Sequence, residues 1–409
     1  MPPTSLSDKR RHSVAPVCAL LALAVGGIPL TTPTSLFWTA PSILAAAMLI
    51  AWAAESAQFF IAQGFALAIL AWLQTLPEFA VEAVLAWKQQ VPLLMANLTG
   101  ALRLLTGLGW PMVYATAAIF HRRRSGSPLG AIHLASEHSV EVIGLFAAML
   151  YSPVIFFKGS LHLADAGVLI AVYAAYLAVL SRTAPVNVET VEHLDTVPRA
   201  IVKAPRGRRI AAIAALFLGG GLLIYLTAEP FLASLLAVSA AVGIPTFVFV
   251  QWVAPFVSEF PEKVSAFYWA RTVERASTAL MNMISSNINQ WTLLMAMLPM
   301  VYALSRGAAV PIHLDPEQEL ELLLTFAQSL LAGLFLLDMQ LTWWEAGGLF
   351  LLWLVQFVLS PLAGGMVHRW ITAIYFIWSA VEIGRAAAAR RMPLVWCKFA
   401  EIWREGRCA

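Results

Sequence analysis

The sequence predicts an all-α protein: a polytopic transmembrane bundle folded as two antiparallel halves. Three observations lead there. The 409 residues are 60% hydrophobic and only 12% charged, with a mean hydropathy of +0.76, whereas a soluble domain is about a quarter charged. Apolar runs of the length that crosses a hydrocarbon core of about 30 Å recur from end to end. A Pro-Glu pair also stands inside an apolar span twice, in "LQTLPEFAVEAVLAW" (73–87) and in "FVSEFPEKVSAFYWA" (256–270).

Read in order, "DKRRH" precedes an apolar stretch at 14–31. The expectation is an uncleaved first helix, because "LTTPTSLFWTA" is a poor cleavage site. Further spans fall at 38–55, 58–86, 92–120, 137–157, 163–181, 210–228, 231–268, 276–304, 320–340, 343–362 and 369–384, twelve in all. The long ones, 58–86 and 231–268, each hold a Pro-Glu. Basic segments follow at 121–126, 181–209 and 385–391, and the positive-inside rule puts them, with both termini, on the cytoplasmic side of a cell (inner) membrane. The acidic "IHLDPEQELE" (312–321) then lies on the opposite side. The net charge of +3 says little, since topology depends on where Lys and Arg fall.

These signals divide the chain into an N-terminal tail and extra helix (1–37), a first membrane repeat (38–181), a cytoplasmic linker (182–209), a second repeat (210–362), and an extra C-terminal helix with a basic amphipathic tail (363–409). The linker is too short to fold as a regulatory domain. "RAAAARRMPLVWCKFAEIWREGR" has the spacing of a helix lying on an anionic lipid surface. Cys18, Cys397 and Cys408 form no CxxC pair and no disulfide framework. His133, Glu137, His138 and Glu141 are spaced as metal ligands can be, but beside a basic loop they read as a helix entry. Asp338 reads as a helix end, and the 15 tryptophans as interfacial anchors. The implied partners are the lipid bilayer and small inorganic cations. Nothing calls for nucleic acid or a cofactor.

With the twelve-span topology the two Pro-Glu spans run in opposite directions. Their surroundings agree: Glu78 is followed by Asn97 after 97 − 78 = 19 residues, and Glu262 by Asn282 after 282 − 262 = 20. Inverted repeats with broken helices meeting near the midplane are how secondary transporters build one site from two halves. Pro77 and Pro261 each remove a backbone hydrogen bond, so their helices are expected to unwind beside Glu78 and Glu262. A carboxylate at that depth costs about 2.5–3.5 kcal/mol unless a cation, a proton or a partner group compensates it. Two carboxylates with carbonyls, amides and hydroxyls make a hard-oxygen site for Na+ or Ca2+. Desolvation raises a carboxylate's pKa, so a proton can compete for it.

These residues resemble the sodium/calcium exchanger (cation/calcium antiporter) superfamily, whose two α-repeats read roughly GTSLPE…GNxxGSNxxN. "LQTLPE" matches at Thr75, Leu76, Pro77 and Glu78, and "ANLTGALRLL" keeps Asn97 and Gly100 while placing Ala101, Leu102 and Leu105 at later polar positions. In the second repeat Ser258 and Glu259 stand at the Thr-Ser positions before Pro261-Glu262, and "MNMISSNINQ" keeps Asn282, Ser286 and Asn287, with Gln290 at the last polar position. The resemblance implies ten core helices in two inverted five-helix repeats, with one extra helix at each end. It implies that Glu78 and Glu262 bind the cation, helped by Thr75, Ser258, Glu259, Ser286, Asn287 and Gln290, and that Asn97 and Asn282 pack or cap the broken helices.

The departures are charges. Lys263 and Arg103 stand close to the expected site, either penalising a divalent cation there or pairing with Glu259 and Glu82 away from the pathway. The function so implied is secondary antiport by alternating access, with Ca2+ or another cation exchanged for Na+ or H+. The alternatives are a monovalent cation/proton antiporter that does not carry calcium, a channel, and a membrane-embedded enzyme. The enzyme reading finds no clustered catalytic set and no phosphate loop.

Overall fold

The computed structural model describes residues 32–60, 71–181, 194, 196–388 and 392–405. The expected first helix at 14–31 and most of the linker lie outside the described residues.

Within them the molecule is a helical bundle, with eight helices long and apolar enough to cross a membrane. The first half contributes α1 (Leu36–Ala57), α2 (Leu76–Trp87), α3 (Val91–Leu104), α4 (Trp110–Ser125), α5 (Ser139–Met149), α6 (Ser152–Lys158) and α7 (Leu163–Leu180). A short α8 (Thr196–Val202) leads to α9 (Arg206–Val242), α10 (Thr246–Ser258), α11 (Phe260–Ala270), α12 (Ala276–Asn289), α13 (Met295–Arg306) and α14 (Pro316–Phe335).

The helical run Trp343–Ala388 that follows is not one rod. Trp344 stacks on Trp378 with ring centroids 6.2 Å apart, whereas 34 residues of straight helix span about 51 Å. The run therefore folds back between α15 (Trp343–Ser360) and α16 (Gly365–Ala388), as the two sequence spans at 343–362 and 369–384 anticipate. The tail helix α17 (Leu394–Glu405) buries Val395 and packs on α5 and on residues 136–138 and 336–338, so its apolar face meets the bundle.

Two small antiparallel ribbons fix the relation of the halves. β1 (Ala131–His133), which follows α4, pairs with β4 (Gln340–Thr342), which precedes α15. β2 (Ser160–Leu161), between α6 and α7, pairs with β3 (Ile312–His313), between α13 and α14. With α3–α4, α5–α6, α10–α11 and α12–α13 each counted as one unit, the link after the third unit of one half thus meets the link after the fourth unit of the other, at each end. Parallel halves would pair like with like, so the halves run in opposite senses.

Two spans differ from the sequence reading. The gap at 229–230 between the expected spans 210–228 and 231–268 is absent, and α9 continues through Pro230 to Val242. It stops at Gly243, whose φ of +72° is the left-handed conformation that ends helices, with Pro245 just beyond. Trp110 and Trp291, read as interfacial, are fully buried in the core. Gly100 lets α3 lie directly on the backbone of α10: a Cβ there would overlap the carbonyl of Gln251.

Candidate functional site

The chain breaks at corresponding places in the two halves. Residues 71–74 are helical, Thr75 turns with φ −79° and ψ −6°, and α2 starts at Leu76. Glu259 makes the equivalent turn between α10 and α11 with φ −90° and ψ 4°. Each turn falls three residues before its motif glutamate. Each proline takes an opening position of the new helix, where its missing N–H removes no internal bond. Glu78 and Glu262 therefore sit in first helical turns, and both are fully buried. A second correspondence is invisible in the sequence. The helix after each Pro-Glu contains a π-helical segment, Leu105–Gly109 in the first half and Gln290–Leu294 in the second, a distortion found often at functional sites.

The two breaks meet. Gln290, opening the second π segment, donates from Nε2 to Glu78 Oε2 at 2.7 Å and to Glu259 Oε1 at 2.9 Å, so one amide joins the two motifs. Lys263 donates to Glu259 Oε2 at 2.5 Å. Glu78 lies within electrostatic reach of Glu82, Glu259 and Glu262. Asn97 Nδ2 donates to Glu82 Oε1 at 2.8 Å, tying α3 to α2. Asn282 Nδ2 donates to Gln74 Oε1 across the halves at 3.2 Å. The Thr75 and Ser258 hydroxyls donate to carbonyls of their own helices, Trp72 at 2.7 Å and Ala254 at 3.0 Å, which leaves their oxygens as acceptors. Asn287 Nδ2 donates to the Leu102 carbonyl at 3.4 Å.

The hydrogen-bond balance of this centre is lopsided. Among the described residues no donor reaches Glu78 Oε1, Glu82 Oε2, either oxygen of Glu262, Asn97 Oδ1, Asn282 Oδ1, Asn287 Oδ1 or Gln290 Oε1. Ser286 is likewise without a bond, and its hydroxyl is beside Glu262. Buried polar atoms are normally paired. A cluster of unpaired acceptors, contributed in part by three carboxylates, suits a positively charged, oxygen-seeking cargo.

The predicted residues are thus largely brought together, with Arg103 as the exception. It pairs with neither Glu82 nor the Pro-Glu centre. Its Nη2 meets Glu321 Oε2 on α14, in full burial. Glu321 itself is misplaced by the sequence reading of 312–321 as an acidic external segment. Asp315 caps α14, accepting from the amides of Glu317 at 2.9 Å and Gln318 at 2.8 Å, and Gln318 Oε1 returns a bond from the Asp315 amide at 3.2 Å. That capping box starts the helix early and carries Glu321 into the bundle. Lys263, by contrast, pairs with Glu259 as one of the two readings expects. Gln74, Gln251, Glu321 and His368 are polar participants that the motifs did not mark. His138 Nδ1 lies 3.6 Å from Glu141 Oε1, and no group of three or more His, Cys, Asp or Glu side chains placed to hold a metal ion by themselves occurs among the described residues.

The profile of the family described as "Sodium/calcium exchanger protein" matches residues 31–182 and 212–361. The chain is 33% identical to the protein in "Crystal Structure of H+/Ca2+ Exchanger CAX", with 98% of each chain covered and a TM-score of 0.84. It shares its fold with native YfkE at 14% identity, 85% of this chain, 98% of that one and TM-score 0.63. It also shares it with the sodium-calcium exchanger NCX_Mj at 16% identity, 80% of this chain, 98% of that one and TM-score 0.54. No curated protein sequence matches the chain.

Proposed function

The chain belongs to the sodium/calcium exchanger protein family, a family of transporters rather than enzymes, and from that premise we propose that it exchanges Ca2+ for H+ by alternating access at the Pro-Glu centre. One observation carries the reading: the two half-chains bring Glu78 and Glu262 into one buried cluster in which three of their four carboxylate oxygens lack a donor. In this reading the two carboxylates hold Ca2+, with Ser286, Asn287, Gln290, Thr75 and Ser258 supplying neutral oxygens within the six to eight that Ca2+ takes. Protonation of the same carboxylates is the alternative filled state. Each filling removes the buried negative charge, so the loaded centre changes the side it faces at low electrostatic cost, while the empty, charged centre does not. Direct competition of that kind makes exchange obligatory. Lys263 cancels the charge of Glu259 and leaves the motif pair as the variable charge. The proton as counter-ion is favoured by the likeness to the H+/Ca2+ exchanger.

The test uses everted vesicles, acidified inside and followed with a pH dye. Addition of Ca2+ is expected to release protons in the wild type and not in Glu78→Gln or Glu262→Gln variants present at equal level. A response to Na+ or K+ alone would replace calcium with a monovalent cation. A Ca2+ response intact in both variants would overturn the site.

A further inference from the structure

A second buried ionic cluster lies beside the Pro-Glu centre and belongs to none of the motifs. Glu321 on α14 receives Arg103 Nη2 from α3 and Gln251 Nε2 from α10 at 2.8 Å. His368 on α16 approaches its other oxygen, Nδ1 to Oε1 at 2.8 Å. Arg103 is held in turn by the Thr99 carbonyl at 3.1 Å and hydroxyl at 3.4 Å, and its guanidinium lies 5.5 Å from the Trp252 ring centroid. Tyr375 is a further titratable group in reach, beside Arg103. The π segment 105–109 that packs on the α15–α16 hairpin contains no titratable residue. Four helices from both halves thus converge on Glu321, and one of the groups they bring to it is a histidine that the Pro-Glu chemistry does not use.

The far side of that histidine has two self-consistent arrangements. His368 Nε2 is 2.7 Å from Ser360 Oγ, and Ser360 Oγ is also 2.7 Å from the Gln356 carbonyl. Nδ1 faces a carboxylate oxygen, where a bare lone pair would be repelled, so it carries a proton in both arrangements. In the first, Nε2 is also protonated and donates to Ser360, which passes its own proton toward Gln356. In the second, Nε2 is bare and accepts from Ser360, whose hydroxyl has swung away from Gln356. The two differ by one proton lost to water and one hydroxyl rotation, with no heavy atom displaced. With Arg103 and Glu321 opposed, the cluster alternates between one net positive charge and none. Histidine is the side chain suited to such a change near neutral pH.

We propose that His368, held between Glu321 and Ser360, is a proton-binding site separate from Glu78 and Glu262, and that it gives up its proton when the Pro-Glu centre takes a cation. The two centres share helices. Arg103 follows Asn97 by six residues on α3, about 9 Å along the axis, and Gln251 precedes Glu259 by eight, about 12 Å. Asn287, from the Pro-Glu centre, donates to the Leu102 carbonyl adjacent to Arg103. A cation charge arriving at that range disfavours a second positive charge at His368. The coupling rests on the exchanger reading above, but the existence of the proton site does not.

The experiment is nitrogen NMR of the intact protein with 15N-labelled histidine, titrated from about pH 5 to 9, the window of histidine charge change. The His368 signal is assigned by its absence in His368→Gln and, should that variant fail to fold, by its displacement in Ser360→Ala. The expected result is an Nε2 that passes from protonated to bare while Nδ1 stays protonated. An imidazole in a single state across the range overturns the proposal. Calorimetry in two buffers of different ionisation enthalpy then counts protons released per Ca2+ bound. His368→Gln is expected to release fewer than wild type, and an unchanged count overturns the coupling. Absence of Ca2+ binding in wild type would sink the calcium reading instead, and the NMR titration would still decide the proton site.

Discussion

Glu262 and Glu321 are equally deep in the bundle, and their surroundings are opposite. Glu321 receives bonds from Arg103 and Gln251 on one oxygen, and His368 Nδ1 lies 2.8 Å from the other. Glu262 receives none, though Ser286 is at hand. A buried carboxylate that is always satisfied stabilises an arrangement, whereas one left without donors costs free energy until a cation comes. The difference separates two uses of the same side chain: fixed charge that joins helices, and free acceptor capacity kept for a passing ion.

That contrast breaks most visibly if transport and stability are measured on the same pair of variants. Glu262→Gln is isosteric and removes the unpaired charge. Exchange is expected to fall at least about a hundredfold, about 2.7 kcal/mol in the logarithm of rate, while the melting temperature in chelator holds or rises. A Glu262→Gln protein that melts much lower than wild type would mean that Glu262 is a structural partner after all.

Glu321→Gln should do the reverse. It leaves Arg103 beside His368 without the anion that both face, and removal of one partner from a buried ion pair costs about 3–5 kcal/mol. The expected outcome is a large loss of melting temperature with Ca2+ present or absent. A melting temperature near that of wild type would show that His368 becomes neutral and Arg103 is served by Thr99 and Trp252 alone.

Legibility in the sequence followed the same division. Glu78 and Glu262 announce themselves because proline beside glutamate is a local signal and the chain repeats it. The opposed halves came from apolar length and the placement of basic residues, which are also local. Arg103 and Glu321 were misread because a partner contributed by the other half leaves no mark near either residue. The "DPEQ" that caps α14 was available as a helix start but lay inside an acidic run that resembled a loop. The spans 210–228 and 231–268 were divided at 229–230, whereas the helix runs through Pro230 and stops at the Gly243–Pro245 signal. The paired π segments had no sequence signature at all.

Lys263 stands on the boundary between the two uses, and a smaller effect there sharpens it. Glu259 is held by Lys263 and Gln290, as Glu321 is held by its own donors, yet Gln290 joins Glu259 directly to Glu78. In Lys263→Met the carboxylate keeps one amide and loses its counter-charge, which is expected to cost about 1–3 kcal/mol of stability in chelator. If Glu259 faces the ion, it then becomes a further anionic ligand. Ca2+ binding tightens, and saturating Ca2+ restores much of the loss, since a ligand at about a hundred times its Kd contributes about 2.7 kcal/mol. Melting curves of wild type and Lys263→Met, each with chelator and with Ca2+, measure both quantities. A deficit that closes in Ca2+ makes Lys263 a tethered cation occupying part of the ion's place and reducing the charge the centre can carry. A deficit of the same size in both conditions places Glu259 with Glu321, as an anion fixed for structure, and confines the variable charge to Glu78 and Glu262.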